Sequence, residues 1–179
     1  MQASEPPVLI LTGPPGAGKT SAAAILAERA DRAVHLEADA FFRFIRAGYV
    51  EPWKPESHDQ NRLVMGIVAE AAAAYAEAGY FTVVDGIVLP RWSLDPLRER
   101  LRAAGLGVAY GVLRAPLPVC EGRLREREDF FDAEAIVRLW TAFEDLGELE
   151  GNAVDVAGLG PAEAADAIAR ALADGRLAV

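Results

Sequence analysis

The run Gly13-Pro14-Pro15-Gly16-Ala17-Gly18-Lys19-Thr20 fits the spacing G-x-x-x-x-G-K-[ST]. Each residue type in it has a physical task. Glycines let the backbone wrap tightly, so that its N–H groups point inward at phosphate oxygens. A helix starting at the end of the run adds partial positive charge at its N-terminus. Lys19 is placed to reach the β- and γ-phosphates of a nucleotide, Thr20 to ligate Mg²⁺, and Ser21 to extend the phosphate-contacting set. The 179 residues hold 16 Gly, 2 Lys, 4 Ser and 4 Thr, so a chance match has odds of about one in a thousand. The plainer reading is a glycine-rich turn with an exposed lysine. It would leave unexplained the apolar strand pattern before the run and the helical pattern after it.

The carboxylates come next. Asp39 follows the second apolar strand pattern, at the edge where a parallel sheet presents its ligand-binding ends. A carboxylate there accepts the proton of an attacking hydroxyl, the role of a catalytic base. Asp39 also fits the N-cap of a following short helix, and the two roles are compatible. Glu37 is the weaker candidate for the same task. Asp85 ends Phe81-Thr82-Val83-Val84 and is followed by Gly86. It reads as a Mg²⁺ partner of Thr20, or as a turn-former in Asp-Gly. Arg123 and Arg127, spaced i,i+4, share a helix face, and Arg138 approaches from the next helix. Arginines on a mobile helix pair neutralise transferring phosphate, whereas on a solvated helix they form weak pairs with Glu.

Two absences narrow the chemistry. Neither lysine, Lys19 nor Lys54, sits in an N-K-x-D guanine-reading motif, which disfavours a GTPase switch. Gly86 stands directly after Asp85, where hydrolytic motors place a water-activating Glu, so transfer to another acceptor is favoured over hydrolysis.

An irregular, aromatic, proline-punctuated stretch over 49–58 has the character of a binding loop. Phe42, Trp53, His58 and Asn61, with Asp85, are the candidate acceptor contacts, and Gln60 is a further polar contact. His58 equally fits an exposed first helical turn. Phe41, Phe44 and Ile45, at helical spacing, are expected in the core.

These residues need a scaffold, and the rest of the chain supplies one. Strand patterns at 8–12, 34–36, 81–84, 108–113 and 153–156 alternate with helical patterns at 20–30, 41–47, 58–78, 94–104, 118–127, 133–145 and 161–173. Short apolar strands between helices predict a parallel sheet covered on both faces. One domain is expected from the length. Apolar residues make up 52% and charged residues 25%, a globular composition. The 27 acidic against 18 basic residues, a net charge of −9, argue against a nucleic-acid partner. One cysteine, Cys120, and two histidines exclude a disulfide framework and a Cys/His zinc cage. No apolar run reaches the roughly 18 residues of a membrane span, and the first residues lack a signal-peptide pattern, so a cytoplasmic protein is expected. The 35 alanines are read as composition bias.

Together these features resemble the small P-loop kinases. They are the Walker A phosphate loop at 13–20, Asp39 after strand two, the strand ending at Asp85, and Leu113-Arg114-Ala115-Pro116 leading into the helix with Arg123 and Arg127. The likeness is closest to chloramphenicol phosphotransferase-like proteins, with zeta-toxin and gluconate-kinase types further out. It implies a P-loop NTPase three-layer αβα sandwich with a five-stranded parallel sheet of order 2-3-1-4-5. It also implies a helical lid over about 118–145, an acceptor region over about 40–62, and the 155–160 loop beside the adenine. The implied activity is transfer of the γ-phosphoryl of Mg·ATP to a hydroxyl of a small molecule, such as an antibiotic or a sugar. A nucleotide-sugar kinase and a non-catalytic, drug-sequestering ATP-binding module stand as alternatives. The stretch 46–61 matches no acceptor signature.

Overall fold

The computed structural model describes residues 7–90, 92–126 and 132–179. Five strands, β1 (Val8–Thr12), β2 (Ala33–Glu37), β3 (Phe81–Asp85), β4 (Val108–Arg114) and β5 (Ala153–Asp155), form one sheet. They are ordered β2-β3-β1-β4-β5, every pairing parallel. The helices are α1 (Lys19–Glu28), α2 (Ala38–Arg43), α3 (His58–Glu77), α4 (Leu94–Ala103), α5 (Leu117–Glu126), α6 (Ala133–Ala142) and α7 (Pro161–Ala173). This is the fold that the resemblance to P-loop kinases implies.

β1 reads Val-Leu-Ile-Leu-Thr without polar alternation, because as the central strand it is covered on both sides, and all five residues are buried. The two-residue period divides its side chains. Leu9 and Leu11 join Val83 and Leu113 against Ala22 and Ala23 of α1 and Ile168 of α7. Ile10 joins Val84 and Tyr110 against Val68 and Ala72 of α3 and Leu97 of α4. Leu9, Ile10 and Leu11 are each 0% exposed, and each such burial contributes about 1.5–3 kcal/mol. The alanines have a packing use here: small side chains on α1 and α3 form the helix faces that lie against the sheet.

The register brings strand ends together. Leu11 and Glu37 both lie beside Asp85, so the phosphate loop, the start of α2 and the end of β3 meet at one edge. The segment after β3 is fixed from beneath. Val88 N–H donates to Thr12 Oγ1 at 2.9 Å, and the Tyr110 hydroxyl donates to the Val88 carbonyl at 2.7 Å. Burial pushes the Tyr110 phenol far above its ordinary pKa, so the hydroxyl remains a donor. Tyr110→Phe leaves that carbonyl buried and unpaired. Its expected effect is a loss of about 1–3 kcal/mol, read as a lower urea midpoint with an unchanged slope.

Three sequence expectations are corrected. The helix expected over 41–47 is α2, which begins at Ala38 directly out of β2 and ends at Arg43. Its N-cap is Glu37, so Asp39 lies within the first turn and is not the cap. Because the helix stops at Arg43, Phe44 at the C-cap turns outward and is 72% exposed, whereas Phe41 packs against the core. Phe44 keeps only an edge contact with Phe41, with ring centroids 5.8 Å apart.

Candidate active site

The phosphate loop is wedged between β4 and α5. Gly13 has φ +142°, and a Cβ there would lie 2.3 Å from the Leu113 carbonyl oxygen. Gly16 has φ +79°, and its Cβ would lie 2.3 Å from the Cys120 carbonyl oxygen. Only glycine satisfies both demands at either position. Gly18 then caps α1 in a left-handed conformation, with no side-chain cap and no acidic residue in the first turn. The N–H groups at the start of α1 are therefore left for an anion. Lys19 is 9% exposed, and its ammonium donates to the Pro14 carbonyl at 3.0 Å, which keeps the charge over the loop.

Behind the loop, Thr20 Oγ1 donates to Asp85 Oδ1 at 3.2 Å. His35 Nε2 donates to Asp85 Oδ2 at 2.5 Å. Asp85 is 4% exposed, so this buried carboxylate has a partner on each oxygen. The structure thus joins Thr20 to Asp85, and Asp85 does not line the cavity beside α2, although the sequence also offered it as an acceptor contact. His35 was missed as a site residue. The available signal was a histidine inside an otherwise apolar strand, two residues before Glu37. Among the described residues no cluster of three or more His, Cys, Asp or Glu side chains could cage a metal. A hydroxyl and a carboxylate side by side fit Mg²⁺, which takes oxygen donors and shares its shell between a few protein groups and phosphates.

Asp39 stands in the first turn of α2, open to the cleft yet walled by protein. That desolvation raises its pKa above the usual carboxylate range. Lys19 and Arg43 pull it down, Asp85 and Glu37 push it up, and the net shift is upward. It follows directly on β2, whose last residue Glu37 lies beside Asp85, so it stands at the same sheet edge as the phosphate loop. Its place is set by a close approach: a Cβ on Gly86 would lie 2.8 Å from the Ala38 Cβ, so β3 and α2 meet without a side chain between them.

Asp39 also lines a cavity of about 290 Å³, with Phe42, Tyr49, Trp53 and Trp92 as its aromatic walls. Three side chains pin the 49–57 loop that carries two of these. Gln60 accepts from Val50 N–H at 2.9 Å and donates to the Val50 carbonyl at 2.6 Å. Asn61 Nδ2 donates to the Pro52 carbonyl and to Ser57 Oγ, at 2.8 and 2.9 Å. Ser57 Oγ donates toward the carbonyls of Pro52 and Lys54. Phe42, Trp53 and Asn61 line the cavity, but both donors of Asn61 serve the loop. His58 does not line the cavity: it is exposed at the start of α3, its ring 6.2 Å from that of Trp92.

The arginines separate. Arg123 donates to the carbonyls of Gly16, Ala17 and Leu159, at 3.5, 3.2 and 3.2 Å, and so ties the phosphate loop to the loop before α7. With Ser21, Val156 and Gly160 it lines a smaller cleft of about 70 Å³. Arg127 lies outside the described residues. Arg138 is exposed on α6, and Arg125 pairs with Glu121 on the surface at 3.2 Å. Arg114 bonds Glu150 and the Phe143 carbonyl, and Trp140 Nε1 donates to the Ala115 carbonyl at 2.9 Å, so the end of α6 is anchored to the end of β4.

Fold and site together define a P-loop kinase. The chain belongs to the AAA_33 family, described as an AAA domain, whose model matches residues 8–145. It is similar to a sugar kinase from Janibacter sp. HTCC2649, with 25% identity, 96% of this chain and 95% of that chain covered, and a TM-score of 0.67. A gluconokinase from Sinorhizobium meliloti 1021 shares 23% identity over 97% of this chain and 95% of that one, with a TM-score of 0.71. The APS kinase CysC of Mycobacterium tuberculosis, solved with AMPPNP and APS, shares 17% identity over 96% and 99%, also with a TM-score of 0.71. No curated protein matches the chain. No described helix is long and apolar enough to cross a membrane.

Proposed function

We propose that the chain is an ATP-dependent phosphotransferase that moves the γ-phosphoryl group of Mg·ATP to a hydroxyl of a small molecule held in the cavity beside Asp39. One observation carries this reading: Asp39 lines the cavity and stands at the sheet edge where β1 runs into the phosphate loop. The AMPPNP in the similar APS kinase structure supports ATP as the nucleotide.

When bound, Mg·ATP supplies the transferable group and the charge neutralisation of its phosphates. The chain's own groups do the rest. The loop N–H groups and the uncapped start of α1 hold phosphate oxygens. Lys19 balances their charge from the side. Thr20 and Asp85 hold the metal, and His35 fixes the second oxygen of Asp85. Arg123 and the 156–160 loop form the base side of the site. Asp39 orients the acceptor hydroxyl and takes its proton. The whole chain works as one kinase domain, with acceptor contacts drawn from 40–62. The helical segment that follows β4 is anchored at the end of α6 through Trp140 and Arg114.

The test is ADP release with Mg·ATP against pooled sugars, nucleotide-sugars, nucleosides and hydroxylated antibiotics, for wild type and Asp39→Asn. Acceptor-dependent ADP that vanishes in the variant supports the assignment. Full transfer by Asp39→Asn rejects Asp39 as the base. Nucleotide binding without ADP from any pool argues for a sequestering module.

Gly86 gives a further check on positioning. Gly86→Ala forces the Ala38 turn aside and displaces Asp39 with it. Turnover is expected to fall on the order of 10- to 100-fold, with little change in nucleotide affinity. Unchanged turnover would show that α2 yields without moving the carboxylate.

A further inference from the structure

The cleft on the far side of the phosphate loop offers little that could read a nucleotide's base. In the strand order β2-β3-β1-β4-β5, Asp39 and its cavity follow β2, and the 156–160 loop follows β5. The phosphate loop follows β1 and lies between them. A triphosphate on that loop with its γ end toward Asp39 leads its base to the cleft of about 70 Å³ lined by Ser21, Arg123, Val156, Leu159 and Pro161. That is far below the roughly 300 Å³ at which pockets enclose a ligand, so the polar edge of the base stays in water.

The backbone of the cleft is spent on itself. Val156 N–H donates to the Arg114 carbonyl at 2.9 Å, and Leu159 N–H to the Val156 carbonyl at 3.2 Å. Ala157 N–H donates to Asp155 Oδ1 and Gly160 N–H to Glu163 Oε2, both at 2.8 Å. The Leu159 carbonyl accepts from Arg123, and the Gly160 carbonyl from Ala164 N–H. The main-chain groups of 156–160 without a described partner belong to Ala157 and Gly158, at the tip of the turn, and neither residue lines the cleft. Among the described lining side chains the polar ones are Ser21 and Arg123. A serine hydroxyl both donates and accepts, so it suits any base edge. Arg123 directs its described bonds to the carbonyls of Gly16, Ala17 and Leu159, and what it offers a base is its planar face, on which any base stacks.

We infer that the phosphoryl donor is selected by its triphosphate and not by its base, so that GTP and ITP serve beside ATP. This inference rests on the kinase reading above and broadens its donor. With GTP the step is the same. The acceptor oxygen forms a new bond to the γ-phosphorus. The bond from that phosphorus to the β,γ-bridging oxygen breaks, and its electron pair leaves with GDP. The hydroxyl proton passes to the Asp39 carboxylate. A site that hydrogen-bonds the base edge rejects the wrong purine by about 10⁴-fold, because its own buried groups are then left unpaired. Among the described residues of this cleft no such group awaits the right base.

The test loads the full chain with fluorescent mant-ATP and Mg²⁺ and follows its displacement by ATP, GTP, ITP and etheno-ATP, whose base edge is closed by an added ring. The four dissociation constants are expected to agree within about ten-fold, the spread that differences in stacking allow. Ser21→Ala should leave the ratio of ATP to GTP affinity within the same range. A wider gap between ATP and any of the other three overturns the inference and leaves the kinase reading standing. A ratio moved beyond that range by Ser21→Ala makes Ser21 a reader of the base and overturns it as well. Matched binding of all four, without transfer from any of them to the pooled acceptors, supports the donor-site inference and counts against the kinase reading. Failure to bind mant-ATP, or displacement by none of the four, overturns both.

Discussion

Asp39→Asn is expected to lower phosphoryl transfer by about 10²- to 10⁴-fold while nucleotide affinity stays close to wild type. Asparagine keeps the shape but loses the negative charge and the capacity to take a proton. The pH profile gives a second readout. Desolvation lifts the Asp39 pKa, and a carboxylate acting as base works only when deprotonated. The acid limb of kcat/KM should therefore fall at higher pH than an ordinary aspartate would produce, and the variant should lose that limb. Stability moves the other way. A carboxyl whose folded-state pKa lies above its unfolded value holds a proton that the unfolded chain has released. Folding stability is then full below the unfolded value and falls as pH rises through the folded one. That loss persists at neutral pH, so Asp39→Asn is expected to melt above wild type at pH 7. The gap should close below about pH 3.9, where both side chains are neutral. A lower melting temperature at pH 7 would mean that the charged form of Asp39 stabilises the fold.

The second large effect is expected for Gly16→Ala. The position needs φ +79°, and the added methyl would lie 2.3 Å from the Cys120 carbonyl oxygen, with the Cys120 Cα and carbonyl carbon at 2.9 Å. All of these are backbone atoms, so no rotamer change relieves the clash, and the phosphate loop must separate from α5. Left-handed strain and overpacking together predict a loss of about 2–5 kcal/mol in urea unfolding. Displacing even one loop N–H from a phosphate removes a charge-assisted hydrogen bond. Affinity for a fluorescent ATP analogue should fall on the order of 10- to 100-fold. Gly151→Ala is the matched control, because nothing lies within 4 Å of its Cβ position and its φ is not positive, so both measurements should stay at wild type. A Gly16→Ala protein that is native-like in both would show that the loop does not pack on α5 as described.

Some of this was readable along the chain and some was not. The phosphate loop was fully legible because its chemistry is contiguous: eight residues determine its backbone path, its charge and its hydroxyl. The parallel sheet was legible because a strand covered on both faces must be short, apolar and unalternating, as Val8–Thr12 is. The positions of Asp39 and Asp85 at the ends of β2 and β3 were legible because each follows or closes a short apolar run. The partners of these residues were not. His35 reaches Asp85 only because β2 pairs with β3 in a register that sets Glu37 beside Asp85. Arg123 finds the carbonyls of Gly16 and Ala17 across more than a hundred residues. Phe44 fits a buried helical face by spacing and lies outside because α2 ends one residue earlier. The cavity beside Asp39 draws on α2, the 49–57 loop, α3, the segment after β3, and Leu139 of α6. Composition and spacing determine how each segment bends and which of its faces is apolar. Which segments face each other is decided by strand order, register and the pinning of loops, and those are properties of the folded chain as a whole.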